Sequence, residues 1–209
     1  MSTATELYLV RHGETLANQD HRFCGVTDVA LTDAGRRQAL AVAAWSKPLR
    51  LQAVYASPLR RAQDTALAIA QATGLTVRTR RGIIERHYGD WENLRWPDIA
   101  AGWPELAEPF REDPAAHAPP RGEACAHVLT RFRRALAALA RAHAGQALAV
   151  VSHQSALRIY LASLLGVPLR DHYKDATLTM GNTAVSLVRI DRGQARAIWV
   201  GRTAHLGPC

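Results

Sequence analysis

The sequence predicts an α/β domain with a largely parallel central sheet, and three observations predict it. Short apolar runs rich in β-formers alternate with segments of helical periodicity, the order strand, helix, strand, helix that wraps a parallel sheet. The clearest run, residues 147–151, is apolar almost throughout rather than alternating, as expected of a strand covered on both faces. The chain has 209 residues, enough for one compact domain with a sizeable core, and no internal repeat, low-complexity tract or linker divides it.

Taken in order, residues 7–10 are a short apolar run cut off by the charged Arg11-His12-Gly13-Glu14, and read as a buried strand. Thr32 and Asp33 can cap a helix from about residue 34 to residue 44, stopped by Lys47-Pro48. Residues 54–56 form a second strand. Ser57-Pro58 then offers an N-cap and a proline for the first helical position, opening a helix that ends near Gly74. Residues 76–79 are a third strand. From Gly82 to Gly122 the chain is rich in Trp, Pro and Gly, which predicts long loops with short helices, the usual build of a lid or specificity region. Val128, Phe132, Leu136 and Leu139 recur at helical spacing among Arg131, Arg133, Arg134 and Arg141, so residues 123–143 read as an amphipathic helix closed by Gly145. After the strand at 147–151, Ser155 opens a helix that runs to Gly166. Two last strands, near 184–190 and 195–200, flank a turn at Asp191-Arg192-Gly193.

Composition narrows the function classes. Hydrophobic residues make up 48% and charged residues 21% of the chain, the balance of a globular rather than a disordered protein. The net charge of +8 raises nucleic acid as a partner, but the arginines are spread through nearly every segment with acids between them, and no nucleic-acid motif or aromatic platform accompanies them. We read the charge as a solvated basic surface. The N-terminal residues lack a basic start followed by an apolar stretch, and no run of eighteen apolar residues occurs, so the expectation is a cytoplasmic protein without a membrane partner. Cys24, Cys125 and Cys209 are odd in number and far apart, and read as reduced and structural. The sequence leaves the oligomeric state open.

In an open α/β sheet, ligands bind beyond the carboxyl ends of the strands. Arg11 and His12 follow the first strand, Arg60 and Arg61 fall in the first helical turn after the second, His153 follows the strand at 147–151, and Glu85 follows the weaker strand near Val77. Guanidinium groups offer paired donors to phosphate oxygens, and helix N-termini add backbone N–H groups. A neutral imidazole can attack phosphorus and divide one hard step into two, and a carboxylic acid with a raised pKa can protonate the leaving alkoxide and then take a proton from water. His12 and Glu85 are the candidates. Each residue also has a plainer reading: a core or surface histidine, solvated arginines, a loop carboxylate, a satisfied histidine at a strand end. What separates the readings is that several such residues fall at corresponding strand ends.

Four strings, LVRHGET at 9–15, SPLRRAQDTA at 57–66, IIERHYGDWEN at 83–93 and VVSHQSALR at 150–158, resemble the histidine phosphatase superfamily, the phosphoglycerate-mutase-like group. The weaker segments at 23–39 and 181–187 extend the resemblance over nearly the whole chain. It implies one domain over residues 1–209, a mostly parallel sheet with helices on both faces, and a substrate-selecting insertion at about 82–122. It further implies His12 as the phosphorylated histidine, Arg11, Arg61 and His153 as the phosphate pocket, and Glu85 as general acid and base. Arg61 is favoured over Arg60 because it directly precedes the alanine of the motif. Asn18, Gly25 and Gln154 are implied as substrate-binding positions, with no metal and no cofactor. The chain departs from the pattern at Gln154, Asn93 and Ala124, where the family commonly has glycine, glycine and serine.

The resemblance implies a phosphomonoesterase acting on a small phosphate ester through a phosphohistidine, with a cofactor-dependent phosphoglycerate mutase as the alternative. A nucleic-acid module would account for the charge but not the motif order, and a catalytically dead member conflicts with the full set of chemical residues. Between Gly82 and Gly122, Glu85, Asp90, Glu92, Asp98, Glu105, Glu108, Glu112 and Asp113 outnumber Arg86, Arg95 and Arg111. That excess argues against a second phosphate site, and so for hydrolysis over the mutase reaction.

Overall fold

The structure, a computed structural model, describes residues 4–207. The extreme N-terminus and Cys209 lie outside them. Six strands form one mixed sheet in the order β3-β2-β4-β1-β5-β6. β1 (Thr5–Arg11), β2 (Ala53–Ala56), β3 (Val77–Thr79) and β4 (Ala147–Ser152) run parallel, while β5 (Val185–Asp191) and β6 (Gln194–Arg202) add antiparallel at the β1 side.

α2 (Asp33–Ser46) connects β1 to β2, and α3 (Arg60–Thr73) connects β2 to β3. α6 (Cys125–Ala142) then returns the chain across the sheet to β4, which α7 (Gln154–Leu165) follows. A right-handed crossover that reverses direction must pass over the opposite face, so α2 and α3 cover one side and α6 and α7 the other. Strand alternation shows the division. Leu7, Leu9, Leu148 and Val150 pack with Phe132, Leu136 and Leu157. Tyr8, Val10, Ala149 and Val151 pack with Val42, Ala66 and Ile69. Full burial of each large side chain contributes about 1.5–3 kcal/mol, so a strand covered on both faces is held from both sides.

The excursion after β3 holds two short helices, α4 (Trp96–Gly102) and α5 (Pro104–Glu112), among 3₁₀ turns. Its own small core gathers Tyr88, Trp91, Ile99, Ala107 and Phe110. Arg86, fully buried, ties the excursion down by donating to the carbonyls of Glu123 (2.8 Å) and Pro114 (3.2 Å), with its guanidinium over the Tyr88 and Phe110 rings.

Three helix starts and ends differ from expectation. α3 begins at Arg60 and not at Pro58: the Ser57 hydroxyl meets His153 (2.7 Å), and the Arg60 N–H is taken by the Asp28 carboxylate (2.7 Å). α7 begins at Gln154 after His153, and Ser155 is no cap: its hydroxyl bonds Tyr88 and Tyr173, while the Glu85 carboxylate takes the helix N–H groups. α6 ends at Ala142, and Gly145, at a φ of 74°, only turns the chain into β4. The four-residue α1 (Leu16–Gln19), fixed by a capping box between Thr15 and Asn18, is too short to leave a periodic signal. Thr32 caps α2 as expected, accepting from the Gly35 N–H.

Candidate active site

β1, β2 and β4 are neighbours and parallel, so their carboxyl ends open on the same edge. Arg11 pairs with Ser152 in register, which puts His12 and His153 one residue beyond, with ring centroids 5.1 Å apart. His12 is buried, and its Nδ1 lies 2.6 Å from the Gly13 carbonyl. A carbonyl only accepts, so Nδ1 carries the proton and Nε2 keeps its lone pair. Arg61 Nε donates to that Nε2 (3.2 Å), while its terminal nitrogens donate to the Thr27 (2.9 Å) and Gly25 (2.7 Å) carbonyls. Burial pushes the His12 imidazole well below its ordinary 6.5, and the Arg61 and Arg11 charges push it further, so the ring is neutral at physiological pH.

Arg11 donates to the Met180 carbonyl (2.7 Å), and its Nε is buried without a protein partner. Burial lowers it to about 10, which leaves it cationic. His153 is fully buried; Nε2 meets the Ser57 hydroxyl and Nδ1 has no partner. Burial and the Arg61 charge hold it well below 6.5. Ser152 Oγ donates to the Ile83 carbonyl (2.7 Å), drawing the end of the β3 connection to β4 and bringing Glu85 over the start of α7. There Glu85 accepts from the backbone N–H groups of Arg86 (2.8 Å), Ala156 (2.9 Å) and Ser155 (3.1 Å). The free N–H groups at the start of α7 are thereby satisfied by the Glu85 oxygens, which fixes the side chain in place. Arg11, His12, Arg61 and Glu85 line one cavity of about 590 Å³.

Residues 7–203 match the histidine phosphatase superfamily (branch 1). The chain belongs to that superfamily. It is 31% identical over 202 residues to phosphoserine phosphatase 1 of Hydrogenobacter thermophilus, covering 97% of this chain and 94% of the relative. It is 33% identical over 174 residues to glucosyl-3-phosphoglycerate phosphatase of Mycobacterium tuberculosis, covering 79% and 78%. Among solved structures, Bacillus stearothermophilus YhfR superposes with a TM-score of 0.91 at 29% identity, over 97% of this chain and 99% of that one.

In this histidine phosphatase the residues named from sequence largely converge. Asn18, Gly25 and Gln154 also line the cavity; Asn18 Oδ1 accepts from Asn182 Nδ2 (3.0 Å), and the Gly25 carbonyl anchors Arg61. His153 is brought beside His12 but lies behind the cavity wall, not on it. The structure adds Asn182, which donates to the His12 carbonyl (3.2 Å), and Ser57 beneath His153. It also adds a cluster of hydroxyls, Tyr88, Ser155 and Tyr173, at the cavity wall. Ser57 directly follows β2 and Asn182 lies in the turn before β5, both inside the motif strings; Tyr173 follows α7 in a segment without periodic pattern.

The acid count over Gly82 to Gly122 does not describe the cavity. Asp90 pairs with Arg121, Glu92 accepts from the Val26 and Thr27 N–H groups, and Asp98 accepts from the Arg95 N–H. Glu108 pairs with Arg111, and Asp113 accepts from Ala115 and Ala116. Glu85 is the one carboxylate among the described residues lining the cavity, against Arg11, Arg22, Arg61, Arg111, Arg170 and Lys174. The argument from acidic excess against a second anionic site therefore falls. Among the described residues no helix is long and apolar enough to cross a membrane.

Proposed function

We propose that this histidine phosphatase is a metal-independent phosphomonoesterase of small phosphorylated metabolites, working through a phosphohistidine at His12. The observation that carries the reading is the His12 ring, neutral, with Nδ1 fixed by Gly13 and the Nε2 lone pair under the Arg61 guanidinium. As the ester enters, a phosphoryl oxygen takes over the Arg61 Nε–H. A buried polar atom without a protein partner, Arg11 Nε at the cavity, suits the same anion, since leaving it unpaired costs about 1–3 kcal/mol.

His12 Nε2 then attacks phosphorus, and the bond to the leaving oxygen breaks as that oxygen takes a proton from Glu85. Water attacks the phosphohistidine in the second half, giving its proton back to Glu85, and inorganic phosphate departs. Arg11 and Arg61 meet the charge that develops on the phosphoryl oxygens, the part a divalent cation plays elsewhere, while His153 packs beside the His12 ring from behind the wall. Asn18, Gly25 and Gln154 border the phosphate, and the excursion at about 82–122 shapes the leaving-group side through Tyr88, Trp96 and Phe110. The cations converge in a cavity rather than over a face, which favours a small ester over nucleic acid. Hydrolysis is favoured over the mutase reaction by the likeness to phosphoserine phosphatase 1 and glucosyl-3-phosphoglycerate phosphatase. Phosphate release from p-nitrophenyl phosphate should persist in EDTA, and release from 3-phosphoglycerate should far outpace its conversion to 2-phosphoglycerate. Rapid interconversion with negligible phosphate release contradicts the hydrolytic reading. Loss in EDTA restored by one divalent metal contradicts the metal-independent one.

A further inference from the structure

We propose that the leaving group of the substrate carries a second anionic group, received at the cavity by Lys174 with Arg170 and Arg111. The inference rests on the phosphomonoesterase reading above and names the substrate class of that same site. Its basis is charge balance. Six cations and one carboxylate line the cavity, and the phosphoryl group accounts for Arg11 and Arg61. Arg22 is engaged by Asp20 (3.1 Å) and by the Asn93 carbonyl (2.8 Å). Three cations from two separate segments remain.

These three stand together. Lys174 comes from the segment after α7, yet its Nζ donates to the carbonyl of Glu112 (2.9 Å) at the end of α5, which places it beside Arg111. Arg170, four residues before Lys174, lines the same cavity as Arg111 and Lys174. Exposed carboxylates offset part of the charge: Glu108 pairs with Arg111, and Asp171 lies 3.6 Å from Arg170. Among the described residues no carboxylate lies within ion-pair distance of Lys174, so its charge is the one open to a ligand.

The segment that presents Lys174 is held from below. Arg158 of α7, buried, donates to the carbonyls of His172 (2.6 Å) and Tyr173 (2.8 Å), with its guanidinium over the Tyr173 ring. A lysine on an anchored backbone loses less freedom on meeting an anion than one on a free loop. A carboxylate and a second phosphate share the chemistry this patch recognises, so matched pairs of esters separate them.

The test compares kcat/KM for 3-phosphoglycerate against glycerol 3-phosphate, which exchange a carboxylate for a hydroxymethyl group. Fructose 1,6-bisphosphate against fructose 6-phosphate asks the same of a second phosphate. A charge-assisted contact predicts a preference of about tenfold for the anionic member of at least one pair. Lys174→Ala should lower that ratio to about threefold or less, with the change in KM; a merely structural lesion lowers both members and leaves the ratio standing. Lys174→Gln is read the same way should the alanine variant not fold. Ratios near one in both pairs, or a ratio unmoved by the Lys174 variants, overturn the proposal. If p-nitrophenyl phosphate is hydrolysed while both ratios are near one, this inference alone fails; if no ester is hydrolysed, the phosphomonoesterase reading fails and takes it along.

Discussion

Arg60 and Arg61 are adjacent in sequence and opposite in environment: Arg60 lies exposed beside Asp64, while Arg61 is 1% exposed and reaches His12. One step along a helix rotates a side chain by about 100°, so only one of the pair can face the strand ends. That choice was legible in the motif. Glu85 is likewise positioned by backbone N–H groups rather than by another side chain, which separates its position from its chemistry. In Glu85→Gln the side chain keeps its size, loses the proton it exchanges with the leaving group and sets an amide N–H₂ against one of those donors. Steady-state kinetics should show kcat lower by about 10²–10⁴-fold. A kcat near wild type would remove Glu85 from the reaction.

At the scale of elements, strands and long helices were readable because burial writes a period into the sequence. Residues 147–151 are apolar throughout because α3 covers one face of β4 and α6 and α7 the other, and α6 shows Val128, Phe132, Leu136 and Leu139 at helical spacing because only one stripe is buried. Starts and ends were read less well where a capping side chain is diverted. Ser57 looks like an N-cap but serves His153, and Ser155 looks like one but joins Tyr88 and Tyr173. The excursion after β3 was correctly read as loops with short helices. Its carboxylates misled, since Glu92, Asp98 and Asp113 are spent on backbone N–H groups and Asp90 and Glu108 on arginines. Charge counted along a chain says little about charge facing a cavity. Lys174 and Arg170 escaped notice for the complementary reason: they follow α7 in a segment whose place is fixed by Arg158, a contact without a local signal.

Across the whole molecule, several imidazoles stay neutral inside the fold, His12 and His153 at the site and His172 beside Arg158, and this has a cost in acid. Burial lowers His12 and His153 well below 6.5 and His172 to about 4. Below pH 6.5 the unfolded chain takes up protons that the folded protein refuses, so stability falls as pH drops through 6.5 and, for His172, continues to fall until about pH 4. His172 alone accounts for a loss on the order of 3 kcal/mol across that window. Urea unfolding should show a lower midpoint at about pH 5 than at about pH 7.5, with a smaller drop in His172→Gln; equal midpoints at the two values would contradict the buried neutral histidines. The central claim is that the same burial makes His12 a nucleophile that accepts the phosphoryl group. Rapid quenching with a ³²P-labelled monoester in alkali, followed by peptide mapping, should place an acid-labile, base-stable label on His12, with no label and no turnover in His12→Ala. Label mapped to another residue, or wild-type turnover in His12→Ala, would contradict it.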